Sequence, residues 1–106
     1  MLKYHHLGIP TSGPRDGEEY PPGFMVHVRP SDMNQCGIEW MRFEPDCPLP
    51  ELVKTVPHVA FEVDDLHREL VGKEILIAPN RPSQGVKVAF VVSDSAPVEF
   101  LQFDER

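Results

Sequence analysis

From residue 23 to residue 29 the chain alternates Phe24, Val26 and Val28 with Met25, His27 and Arg29, a period of two that predicts a strand with one buried face. Short runs with the same character recur. Residues 4–9 form the first expected strand, 23–29 the second and 37–43 the third; 56–63, 74–78, 86–92 and 98–103 complete the set. Twelve prolines and seven glycines cut the chain into these pieces and disfavour long helices. Residues 11–22, rich in Gly, Pro and Ser, have no helical period and read as loop. A Pro-rich connection runs from Pro45 through Pro48 and Pro50 to about Thr55, and residues 79–85 read as a turn-rich loop. One helix is expected: Asp64 or Asp65 offers the N-cap, Leu66 and Leu70 the apolar stripe, and Gly72 the stop.

The strands repeat. Tyr4-His5-His6-Leu7-Gly8-Ile9 lies over Val56-Pro57-His58-Val59-Ala60-Phe61, so that His6 meets His58 at an offset of 58 − 6 = 52. Gly37-Ile38-Glu39-Trp40-Met41-Arg42-Phe43 lies over Pro97-Val98-Glu99-Phe100-Leu101-Gln102-Phe103, and Glu39 meets Glu99 at an offset of 99 − 39 = 60. The second unit is therefore eight residues longer, which fits a helix that the first unit lacks. Alternation places His6 with Tyr4 and Gly8, His58 with Val56 and Ala60, and both glutamates on otherwise apolar faces. A lone carboxylate there would suffer a desolvation penalty of several kcal/mol that a metal ion or a positive partner offsets. Gly8 and Ala60, each two residues beyond a histidine, leave space beside the imidazoles for a ligand.

Composition narrows the field without choosing within it. With 106 residues, 41% hydrophobic and 25% charged, the chain fits one globular domain, residues 1–106, divided into a unit of about 1–50 and another of about 51–106. A net charge of -7 opposes nucleic-acid binding. No apolar run approaches the roughly 18 residues of a membrane span, and the start lacks the apolar stretch of a signal peptide, so a cytoplasmic location away from membranes is expected. Cys36 and Cys47 lack CxxC spacing and read as reduced thiols, with a disulfide between them left open. Phosphate-loop, dinucleotide, nucleophile-elbow and HExxH motifs are absent from the sequence.

Two neutral imidazoles and two carboxylates, His6, Glu39, His58 and Glu99, suit a divalent zinc, nickel, cobalt, manganese or iron ion with positions left for water or substrate. An ion so placed favours metal-assisted isomerisation, with Glu99 or its symmetric counterpart Glu39 as the base that moves the proton. The alternative is two buried structural histidines and two solvated glutamates. His27, Arg29 and Lys87, polar on strands, are weaker candidates as substrate anchors, His5 belongs to the opposite face, and His67 reads as a solvated helix residue. Trp40 alternates away from Glu39 and reads as packing behind the sheet or at an interface.

Three stretches carry a family resemblance: His6-Leu7-Gly8-Ile9, the run from Pro57-His58-Val59-Ala60-Phe61 to Leu66, and Pro97-Val98-Glu99-Phe100-Leu101. Together they resemble the vicinal oxygen chelate superfamily, which includes glyoxalase I, methylmalonyl-CoA epimerase, extradiol dioxygenases and bleomycin-resistance proteins. The resemblance implies an α+β fold of paired βαβββ units forming a cup-shaped sheet, the first unit shortened and without its helix. It implies metal ligands at His6, Glu39, His58 and Glu99, a homodimer, and a lyase or isomerase reaction on a small molecule with adjacent oxygens. Its other members imply the alternatives: a metal-free small-molecule binding protein of the bleomycin-resistance type, or an iron-dependent dioxygenase.

Overall fold

The computed structural model describes residues 2–105; Met1 and Arg106, the ends of the expected domain, lie outside the described residues. Among the described residues, seven strands, two short α-helices and one 3-10 turn follow in the order β1 (Lys3–Pro10), β2 (Val26–Arg29), the turn Ser31–Met33, β3 (Ile38–Phe43), α1 (Glu51–Thr55), β4 (His58–Glu62), α2 (Leu66–Glu69), β5 (Glu74–Ser83), β6 (Val86–Ser93) and β7 (Ala96–Phe103). The class is α+β with a mixed sheet. By packing, the chain divides into His6–His58 and the remainder, from Val59 onward together with the residues before His6.

In the His6–His58 unit, β3 lies between its two partners. β1 runs parallel to it with Gly8 opposite Glu39, and β2 runs antiparallel with Val28 opposite Met41. No helix lies between β1 and β2 among the described residues; the segment carries only a bridge from Glu19 to Val28. The expected second strand is shorter than its alternation suggests, since Met25 sits at φ 56 and Gly23 at φ 94, left-handed conformations that interrupt the extended backbone before Val26. The expected Pro-rich connection also contains a helix. Pro50 caps α1, whose Val53 is buried, and Lys54 Nζ donates to the Cys47 carbonyl at 3.0 Å, tying the helix back to the Pro-rich segment. That helix and Pro57 delay β4 until His58, two residues later than the run of β-branched residues suggests.

In the remainder, β7 pairs parallel with β4 and antiparallel with β6, and β5 lies beyond β6 at the edge. Val63, Leu66, Ala89, Val91 and Phe100 form a core on one face, with Phe61, Leu70 and Val98 packed against it; Ala60, Val86, Val88 and Leu101 form another, with Phe103. Odd and even positions of β6 divide between the two clusters as strand alternation requires. Helix α2 feeds the first cluster through Leu66. Its N-terminus is capped twice: the Asp65 carboxylate accepts from the Arg68 N–H, and Gln102 Oε1 accepts from the Leu66 N–H at 2.7 Å. The helix stops at Glu69, short of the expected Gly72, which lies three residues further on at φ 77.

The expected loop 79–85 is mostly strand. β5 continues to Ser83, and its register against β6 shifts three times, between Ile75 and Ile77, Ile77 and Asn80, and Asn80 and Ser83. Pro79 and Pro82 each fall within one of these shifts, where a residue without an N–H breaks no ladder bond. Edge position and bulges together admit prolines that read as loop signals.

The β6–β7 hairpin closes through Asp94 and Ser95, both at positive φ, 51 and 65, between the paired Ser93 and Ala96. This two-residue turn matches the twist of its strands but costs each side chain left-handed strain, which glycine avoids. Ser95→Gly is expected to raise stability by about 0.5 to 1 kcal/mol. Urea denaturation checks this through a higher midpoint at unchanged slope.

Candidate metal centre

His6 enters the site from β1, Glu39 from β3 and His58 as the first residue of β4. All three belong to the His6–His58 unit. One ligand atom from each lies within 4.8 Å of the other two, a group able to hold a metal ion. His6 and His58 are buried and Glu39 is half-buried. The imidazoles meet edge to face, 84° between planes and 5.5 Å between centroids. His6 Nε2 faces Glu39 Oε1 at 3.8 Å. His6 Nε2 and His58 Nδ1 are both closed off from solvent.

The local sequence explains this convergence. Parallel pairing sets Gly8 opposite Glu39, and alternation puts His6 on the face of Gly8, so a histidine and a carboxylate from different strands share one face. The space beside Gly8, which the sequence suggests for a ligand, is filled by the His58 ring: a Cβ on Gly8 would lie 2.7 Å from Nδ1 and 2.8 Å from Nε2. That correction has a physical reason, since His58 needs the gap in order to reach the other two.

Ligand atoms about 2.0 to 2.2 Å from a shared ion stand roughly 3 to 3.5 Å apart, so the 3.8 Å between His6 and Glu39, within a group spanning up to 4.8 Å, would have to close on binding. Two nitrogen donors and one carboxylate suit zinc, nickel, cobalt, manganese or iron. Donor set, burial and spacing therefore fit such an ion.

Glu99, the fourth residue of the expected set, belongs to the remainder of the chain. It is buried on β7, opposite Ala60 on β4 and Phe90 on β6. The repeat is visible in this register, because a small residue faces a glutamate in both parallel pairs, Gly8 with Glu39 and Ala60 with Glu99.

The weaker candidates occupy other places. His27 stacks on Tyr20 at 4.3 Å and approaches Glu44 at 3.6 Å, while Arg29 Nε donates to the Asp16 carbonyl. Lys87 lies opposite Gln102 on the β6–β7 ladder, His5 packs on Phe103, and His67 is exposed on α2. Trp40 carries the Arg15 guanidinium 3.5 Å above its ring. Cys36 is exposed and Cys47 buried, both as thiols, with Cys47 Sγ donating to the Phe24 carbonyl.

Sequence reading missed the Glu18–Arg42 pair. Arg42 donates through Nη2 at 2.7 Å and Nε at 3.1 Å to the two carboxylate oxygens, a bidentate fork between residues 24 apart. No local spacing signals a contact between a loop residue and a strand residue so distant.

Among solved structures, the fold recurs in a hypothetical protein from Bacillus halodurans C-125, with a TM-score of 0.68 over 99% of this chain and 96% of that one. Identity between the two is 17%, so the likeness is one of fold. No protein-family model matches the chain, and no curated protein does. No helix among the described residues is long and apolar enough to cross a membrane.

Arg42's hydrogen bonds hold the Glu18 carboxyl below its usual range, and burial opposes them only in part. A carboxyl lowered in the folded state contributes stability that is present above its unfolded value and lost as pH falls through the folded one. The stability advantage of the wild type over Glu18→Gln is therefore expected to hold at neutral pH and to vanish below the ordinary carboxylate range. Urea midpoints of both proteins from pH 7 to pH 3 measure it; parallel curves would show that the pair is not coupled to folding.

Proposed function

We propose that this protein is a metal-dependent lyase or isomerase of the glyoxalase type, within the vicinal oxygen chelate superfamily, acting on a small molecule with adjacent oxygens. The observation that carries the reading is the convergence of buried His6 and His58 with Glu39. A divalent zinc, nickel, cobalt, manganese or iron ion would supply Lewis acidity to the substrate oxygens. His6 and His58 would hold it through ring nitrogens and Glu39 through its carboxylate. Glu99 is the proposed base, taking a proton from a substrate carbon beside a carbonyl and returning it to the neighbouring carbon. Its part in the site rests on the sequence repeat and the family resemblance. A homodimer and a cytoplasmic location belong to the same reading.

Two histidines and one carboxylate are also the ligand set of non-haem iron oxygenases, and this favours an iron-dependent dioxygenase as the second reading.

Elemental analysis of tag-free protein tests both. The wild type is expected to hold about one transition-metal ion per chain and Glu39→Ala roughly a tenth as much or less. Glu99→Ala is expected to keep the ion and to lose about 100-fold or more in isomerase turnover; loss of the ion as well would make Glu99 a ligand. Oxygen uptake by protein loaded anaerobically with iron would support the second reading. A wild type that binds no ion after incubation with zinc, nickel or iron would sink both and leave a metal-free binding protein of the bleomycin-resistance type.

A further inference from the structure

We propose that Gly8 is a positioning residue of this centre, its missing side chain being the socket that admits the His58 imidazole to the place where it meets His6 and Glu39. The inference rests on the metal reading above. Glycine in a strand interior weakens the strand unless something approaches its backbone closely. Here the approach is seen. A Cβ at position 8 would stand 2.7 Å from His58 Nδ1, 2.8 Å from Nε2 and closer still to Cε1, contacts that real side chains do not make.

The need is for space and not for backbone freedom, because Gly8 lies in the middle of β1 and its φ is outside the left-handed region. The ring is 1% exposed, so it cannot swing into solvent to make room. Gly8 is the register partner of Glu39 and lies two residues beyond His6 on the same face. His6, Gly8 and Glu39 thus share one face, and the His58 ring lies where a side chain on Gly8 would otherwise stand. The repeat sharpens the point, since the matching position in the second unit is Ala60, fully buried, where a methyl group is accommodated.

A displaced His58 ring leaves the narrow range of positions from which it can share an ion with the other two residues. Gly8→Ala is accordingly expected to weaken cobalt binding about tenfold to a hundredfold, as loss of a ligand's support does.

A double-mutant cycle tests this with tag-free wild type, Gly8→Ala, His58→Ala and the combined variant. Cobalt(II) affinity by calorimetry and the visible absorption of the cobalt protein report the centre; urea midpoints of the metal-free proteins report the fit of the ring. Expected are weaker binding and an altered cobalt spectrum in Gly8→Ala, a lower midpoint than wild type, and no further fall when Gly8→Ala is added to His58→Ala. Wild-type cobalt affinity in Gly8→Ala, or an equal fall in midpoint in both backgrounds, would overturn the inference. If Gly8→Ala does not fold, the combined variant decides, because recovery of folding supports the socket and failure to fold rejects it. A wild type that binds no cobalt overturns the metal reading itself, an outcome visible without any Gly8 variant.

Discussion

Parallel strands cannot be joined by a tight hairpin, so pairing β1 with β3 requires a long connection between Pro10 and Ile38. The same holds for β4 and β7, whose connection carries α2, β5 and β6. In each case the first and last strands of the segment become direct neighbours although they are distant in sequence. That neighbourhood creates the chemistry. A histidine near the start of β1 and a glutamate at the second position of β3 share one face only because the ladder sets Gly8 opposite Glu39. A one-residue slip would turn Glu39 to the other face. Register, more than any single contact, is what brings His6 and Glu39 of the candidate metal centre onto one face.

Burial makes that register consequential. Two buried imidazoles and a half-buried carboxylate form a donor set that a positive charge would stabilise. A proton on His6 supplies one charge and involves two residues; a divalent ion supplies two and engages all three. The position of His58 favours the second solution. Its ring occupies a gap that exists because residue 8 has no side chain, and a histidine needed only to fill core space could be replaced by a larger residue at position 8 and a smaller one at position 58.

Much of this was legible in the sequence because alternation and repetition are properties of order along a chain. The offsets of 52 and 60 residues paired His6 with His58 and Glu39 with Glu99, and the observed ladders set Gly8 against Glu39 and Ala60 against Glu99 in the same register. Features that depend on what lies across space were illegible. Pro79 and Pro82 read as loop because their tolerance comes from edge position and bulges, which only the partner strand defines. Helix α1 was hidden among prolines, one of which caps it. Space beside Gly8 was inferred correctly, but its occupant was not, since nothing local says which ring will enter. The division of strands between the halves was legible as well, three before residue 50 and four after it, as β1, β2 and β3 and β4, β5, β6 and β7 are.

The two crossovers also show that one topological demand has two energetic solutions. After β4, helix α2 covers its sheet by burying Leu66 fully, with Leu70 packed against the same core cluster, a hydrophobic solution whose strength follows buried area. After β1, residues 11–22 bury no side chain completely and are held by polar and aromatic ties: Arg15 over Trp40, Arg29 to the Asp16 carbonyl, the Glu18–Arg42 fork and the bridge from Glu19 to Val28. Such ties are individually weak near the surface and gain from acting together. They also have direction, which apolar burial lacks, and so can fix one path for an irregular segment that has no helical hydrogen bonds of its own. Arg42 and Trp40 project from the strand that supplies Glu39. Holding the loop and presenting the carboxylate are thus two tasks of β3, performed by neighbouring residues of the same six-residue strand.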